Sequence, residues 1–175
     1  YKRQVLARLS NDSGLTAYLS TLNQRETVVL QRLNGSQPVQ VLAPPGSRRA
    51  ASGTAMGRAL LSRLTQAEFD ALYGTDPSSP LPVEGKDCPV TVGELAQRVA
   101  QVRADHYGVA IDQAMPGIGA VAAAVRDPAS GELRGLCLSF VSFQADAARV
   151  AALRESLTQQ VAALGRELND PYWLG

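Results

Sequence analysis

Gly117-Ile-Gly-Ala-Val-Ala-Ala-Ala-Val125, then Asp127-Pro-Ala-Ser-Gly131, then Leu133-Arg-Gly-Leu-Cys-Leu-Ser-Phe-Val141 reads as two strands joined by a turn. Proline and glycine punctuate the middle segment, as turns require. Successive side chains of a strand point to opposite faces, so the second strand divides. Leu136, Leu138 and Phe140 form a core face, while Gly135, Cys137 and Ser139 form a small, mildly polar one. The first strand is also lined with small residues, among them Gly119, Ala120, Ala122 and Ala124. A sheet face with so little side-chain volume leaves space. Either another element packs very close to it, or a ligand sits there.

Upstream, Arg48 to Leu64 supplies a candidate partner for that face. Pro44 and Pro45 stop whatever strand precedes it. Ser52 is a suitable N-cap, because its side-chain oxygen can accept from a first-turn amide. Ala55, Met56, Ala59, Leu60 and Leu64 then recur at helical spacing, predicting a helix over 52–64. Gly53 and Gly57 lie one turn apart, so something can approach closely. A helix N-terminus carries free N–H groups and a partial positive charge, which suit a carboxylate or phosphate. The same features also fit a plain amphipathic helix with a tight packing face.

The remaining segments fall around these two. Tyr1 to Ser13 reads as a helix bearing Val5, Leu6 and Leu9, ended by Asn11-Asp-Ser-Gly14. Leu15 to Ser20 alternates as a half-buried strand, and Asn23 to Glu26 turns the chain. Thr27–Leu33 and Ser36–Leu42 flank Asn34-Gly35, the strongest two-residue hairpin signal, so three consecutive antiparallel strands are expected early. Thr65 with Glu68, and Thr91 with Glu94, form capping boxes. The first opens a helix to Tyr73; the second opens one carrying Val92, Leu95, Val99 and Val102, closed by Gly108. Residues 74–89, with Pro77, Pro80, Pro82 and Pro89, read as a long loop, either an exposed connector or a lid. Val109 to Asp112 is strand material. Val150, Leu153, Leu157, Val161, Leu164 and Leu168 step along one long amphipathic helix that must cover a sheet face or a partner. Segregated strands and helices predict an α+β fold, an antiparallel sheet flanked by helices.

Composition narrows the function classes. The 175 residues carry a net charge of +1, and Lys2 and Lys86 are the only lysines. Scattered arginines do not make the basic stripe of a nucleic-acid surface. No apolar run approaches the roughly 18 residues of a membrane span. No charged-then-apolar leader shows. The two cysteines, Cys88 and Cys137, match neither a disulfide framework nor a metal spacing. They fit a reducing cytoplasm. The first residue is Tyr1 rather than Met, as in a fragment of a longer protein; if a domain lies upstream, the helix at 1–13 would be its natural linker.

Several stretches carry a family resemblance. Gly53-Thr-Ala-Met-Gly-Arg-Ala-Leu-Leu61 resembles the signature of IclR-type bacterial transcription regulators, where it opens a helix beside the effector pocket of the C-terminal domain. Arg103-Ala-Asp-His-Tyr107, then Gly117 to Arg126 with Asp127, then Leu136-Cys-Leu-Ser139 resemble that family's later signature. The resemblance implies a GAF/profilin-like sheet. It also implies an N-terminal winged helix-turn-helix domain that alone contacts DNA, and assembly as a homodimer or homotetramer. Carried over, it places ligand contacts at Gly53, Thr54, Ala110, Ile118, Ala120, Cys137 and Ser139, with no cofactor and no metal. The expected function is small-molecule sensing for transcriptional control.

Two departures refine this. The family's acidic patch falls on Ala110-Ile-Asp-Gln113, so most of its charge is gone, while His106 stands where glycine is usual and Cys137 where serine is frequent. A pocket less polar than one for very small oxoacids is expected, suited to an aromatic or otherwise bulky organic acid. Arg48 and Arg49 could steer such an acid, or be a solvated pair. Two further readings remain open: a stand-alone GAF-like sensor acting on another protein, and a thiol enzyme using Cys137. The latter needs an activating base, and the only histidine, His106, reads as a dipole partner at a helix end.

Overall fold

The computed structural model describes residues 1–175. Its strands are β1 (Thr16–Asn23), β2 (Glu26–Leu33), β3 (Arg48–Ala50), β4 (Gly108–Ile111), β5 (Ile118–Arg126) and β6 (Leu133–Val141). Its helices are α1 (Lys2–Ser13), α2 (Ala55–Leu61), α3 (Gln66–Tyr73), α4 (Val92–Asp105) and α5 (Ala147–Glu167). The strands form one antiparallel sheet in the order β3-β2-β1-β6-β5-β4. With helices on both faces, this is the expected α+β sheet of GAF-like form.

The hairpin β5–β6 and the long helix stand as read. Leu136, Leu138 and Phe140 join Val121, Ala123 and Val125 in a core sealed by Leu6 and Leu9 of α1 and by Leu153, Leu157, Val161 and Leu164 of α5. Asp146 caps α5 by accepting from the Arg149 amide at 2.8 Å. On the opposite face α2 lies across the sheet through Ala55, Met56, Ala59 and Leu60. A third cluster ties α2 to α3 and α4 through Leu61, Phe69, Leu95 and Val99. The Thr65–Glu68 capping box is complete.

Five local expectations are corrected. The hairpin at Asn34-Gly35 does not form: residues 34–47 make no strand, and the third strand is the short β3. Pro38 removes a ladder donor, and a Cβ on Gly35 would lie 1.9 Å from the Gly14 carbonyl oxygen. Gly35 therefore serves a close backbone approach instead of a tight turn. Thr54, not Ser52, caps α2, accepting from the Gly57 amide at 2.9 Å. Ala51–Gly53 forms a 3-10 turn before it. At Thr91 only half the capping box exists, because the Glu94 carboxylate turns instead to the Val90 amide at 2.8 Å. His106, at φ 67°, ends α4 in the left-handed region, and Gly108 opens β4. β1 is buried on both faces rather than one, since α1 and α5 cover Leu15, Ala17 and Leu19 while Thr16, Tyr18 and Ser20 are enclosed from the other side.

Residues 74–90 are a tethered connector. Leu81 and Val90 are hydrogen-bonded backbone to backbone, as are Ser79 and Val92, and Leu81 and Cys88 are buried.

Candidate functional site

The small-residue face resolves into two uses along one strand. A Cβ on Gly135 would meet the Met56 sulfur at 2.3 Å, so there the sheet is small because α2 presses on it. Two and four residues later, Cys137 and Ser139 face open space. The cavity, about 320 Å³, lies between the sheet, the start of α2 and the strap Gln40–Ala43. That volume falls in the ordinary range for a small-molecule site.

Six of the seven expected contact residues line it: Thr54, Ala110, Ile118, Ala120, Cys137 and Ser139. Gly53 does not. It is buried in the 3-10 turn, and a Cβ there would face the Cys88 sulfur at 3.8 Å. Gly57 is likewise structural, because its Cβ would fall 2.0 Å from the Ala51 carbonyl oxygen. These glycines pack the turn that delivers Thr54 to the cavity. With its first residue at Ala55, α2 is only 7 residues long, shorter than the 52–64 helix expected.

The four positions of the displaced acidic patch separate. Ala110 lines the cavity. Asp112, at φ 58°, accepts from the Gly117 amide at 2.7 Å and the Ser142 hydroxyl at 2.8 Å, holding the β4–β5 connection closed. Gln113 accepts from Arg58 at 2.7 Å. Arg58 is buried and also donates to the carbonyls of Ser52 at 3.2 Å and Val109 at 3.0 Å. Burial, then repulsion from Arg98, lowers its pKa to about 10, which still leaves it charged at neutral pH. Arg58 thus locks α2 onto β4 from behind the cavity.

Most of the other walls were not legible beforehand. Val29, Val41, Leu42, Met56 and Met115 supply apolar surface, and Ser20, Thr27 and Gln40 supply polar atoms. The usable signal lay in β1: Tyr18 pairs with Cys137 across β1–β6, so the polar side of β1's alternation had to share the small-residue face. Tyr18 holds the strap. Its hydroxyl donates to the Val41 carbonyl and accepts from the Ala43 amide at 3.1 Å. Gln40 accepts from Thr16 at 2.6 Å and donates to the Gly14 carbonyl at 3.3 Å.

Deep in the site, Cys137 and Ser139 are in sulfur–oxygen contact at 3.8 Å. Burial pushes the Cys137 thiol up to about 12, so it is a neutral wall group. His106 is stacked on Tyr172, with ring centroids 4.1 Å apart. At the rim, Arg48 pairs with Glu26 at 2.9 Å, while Arg49 lines the cavity. No group of histidine, cysteine and carboxylate side chains has the geometry of a metal site, and no helix is long and apolar enough to cross a membrane.

Residues 1–166 match the family described as bacterial transcriptional regulator IclR C-terminal. Among curated proteins the chain is similar to the HTH-type transcriptional regulator XynR of Escherichia coli (strain K12), 29% identical over 169 residues, covering 95% of this chain and 65% of that protein. The chain therefore spans less than two thirds of that relative's length. Among solved structures it is similar to the Agobacterium tumefaciens repressor BlcR, with a TM-score of 0.78 and 26% identity over 95% of this chain and 65% of that one. It also shares the fold of the C-terminal domain of the Escherichia coli transcriptional regulator KdgR, with a TM-score of 0.75 at 19% identity over 93% of this chain and 94% of that one.

Proposed function

This chain belongs to the IclR C-terminal family of bacterial transcriptional regulators, and from that premise we propose that its cavity receives a small organic acid, aromatic or otherwise bulky, as the regulatory signal. The observation that carries this reading is one half-open cavity, walled mainly by apolar side chains, on which six positions expected to contact effector converge. Its walls hold no carboxylate, so an acid meets no like charge.

The mechanism is linkage. A ligand that fits one arrangement of the strap and α2 better than another stabilises that arrangement by its difference in affinity. Coupled to an N-terminal DNA-binding domain through α1, that preference alters operator binding. The whole regulator works in the cytoplasm as a homodimer or homotetramer, matching two-fold operators. Residues 1–175 form one sensing unit that binds DNA only through the additional domain. Binding without turnover is the expected chemistry. The Cys137 thiol is held neutral by burial, and the histidine that could activate it is stacked on Tyr172.

Thermal unfolding against a panel of aliphatic and aromatic acids tests this. A ligand at a hundred times its Kd adds about 2.7 kcal/mol, which for this size raises Tm by roughly 5–10 °C. An acid that does so for the native chain and not for Ala120→Phe, which fills the cavity, supports the proposal. If no acid shifts Tm, the cavity is not an effector site.

A further inference from the structure

Two buried hydroxyls on the cavity wall are left unsatisfied by the protein. Ser139, 8% exposed, has only the Cys137 sulfur as a polar partner, at 3.8 Å. Ser20, 2% exposed, lines the same cavity, and its hydroxyl has no partner in the protein. The other polar side chains that β1 turns to this face are already engaged: Thr16 donates to Gln40, and Tyr18 holds the strap. Ladder register sets the two hydroxyls apart. Ser139 stands opposite Thr16 and Ser20 opposite Gly135, and the four residues of β1 between those positions span roughly 13 Å. Thr27 lies diagonally across from Ser20 on the same face, since Ser20 pairs with Val29 and Leu22 with Thr27. Its hydroxyl lines the cavity too, with one long bond of 3.4 Å to the Arg49 carbonyl. The Ser20 end thus combines buried hydroxyls with the apolar chains of Val29 and Met56. A hydrocarbon tail laid against it cuts the Ser20 hydroxyl off from water, and a buried hydroxyl without a partner is destabilising. A tail that ends in a hydroxyl or carbonyl meets it instead, because a serine hydroxyl both donates and accepts.

Resting on the reading of this cavity as an acid-binding site, with the acid group among Ala120, Cys137 and Ser139, we infer that the effector carries a second, hydrogen-bonding group at its opposite end, and that Ser20 receives it with Thr27 alongside. A hydrogen bond of about 3 Å at each end leaves roughly 7 Å between the effector's polar termini, a span matched by an aromatic ring with a short acid arm. Ser20 thus selects bifunctional acids over hydrocarbon acids of the same shape, while Val29 and Met56 pack on the body between the two groups.

Calorimetric titration of the chain with acids that differ by one terminal hydroxyl tests this. The pairs are phenylacetate and 4-hydroxyphenylacetate, 3-phenylpropionate and 3-(4-hydroxyphenyl)propionate, hexanoate and 6-hydroxyhexanoate. In at least one pair the hydroxylated acid should bind about fivefold tighter or more. Ser20→Ala should erase that margin and leave the parent acid's affinity within about twofold. Ser52→Ala removes an equally buried serine hydroxyl that does not line the cavity, and it should preserve the margin. A margin that survives Ser20→Ala, or that Ser52→Ala abolishes as well, overturns the assignment to Ser20. Parent acids that bind, with no gain from the hydroxyl in any pair, overturn the second subsite and leave the cavity an acid site. Binding of no acid at all overturns that reading of the cavity, and the subsite with it.

Discussion

The two faces of β6 are made by alternate residues of one strand, yet they end in opposite states. On one side Leu136, Leu138 and Phe140 sit in a core closed by α1 and α5. On the other, Gly135 is pressed by α2, while Cys137 and Ser139 border a cavity. Backbone geometry and ladder pairing are common to both. What differs is side-chain volume. Branched chains fill the gap between layers, and small ones leave it to whatever lies opposite: a helix at one end, nothing at the other. The strand seals the core with one set of side chains and borders the cavity with the other, and the two sets can be varied separately.

Adjacent substitutions should expose that division most strongly. Leu138→Ala, at a fully buried position of the closed face, should cost about 3 kcal/mol and lower Tm by about 10 °C, read by denaturant and thermal unfolding. If Ser139→Ala costs as much, the faces are not energetically distinct.

Alkaline pH should strain the open face next. Burial raises the folded Cys137 thiol from 9.0 to about 12. Above pH 9 the unfolded thiol loses its proton while the folded one keeps it. Stability is therefore unaffected below pH 9 and falls by up to about 1.4 kcal/mol per pH unit from there toward 12. Buried Tyr18 and Tyr73 are raised as well and add in the same direction. Urea unfolding between pH 8 and 11 should show a shallower fall for Cys137→Ala than for the native chain.

Tyr18→Phe removes the hydroxyl that bonds both Val41 and Ala43. It should cost about 1 kcal/mol, with faster amide exchange confined to residues 39–43. Exchange spreading into β1 would mean that the strap and the sheet open together. The smallest stability effect belongs to Ser139→Ala, within about 0.5 kcal/mol, detectable chiefly as a changed affinity for acids carrying a second polar group.

How much could be read in advance follows the range of the interactions involved. The faces of β6, the Thr65 cap and the stripe of α5 are set by period and by near neighbours, and they were legible. Asn34-Gly35 misled because its hairpin signal is local, whereas Gly35 answers to the backbone of Gly14, twenty-odd residues earlier. Ser52 is by itself at least as good a cap as Thr54. The contact of Gly57 with Ala51 selects Thr54 by folding the residues before it into a 3-10 turn. For the same reason Gly53 falls outside the cavity that its neighbour enters. The strap carries no periodicity at all, and only the Tyr18 and Gln40 hydrogen bonds place it on the wall.

The Gly14 carbonyl accepts from the Gln37 amide at 3.1 Å and from the Gln40 side chain, and Gly14 also ends α1 in the left-handed conformation. One residue thus joins two arms, like the fulcrum of a lever. Its short arm is the strap over the cavity, and its long arm is a helix of 12 residues, about 18 Å from end to end. A tilt of roughly 5° about Gly14 would displace the far end of α1 by about 1.5 Å. Leu6 and Leu9, buried among the residues of the closed core, are the load that such a tilt would have to carry.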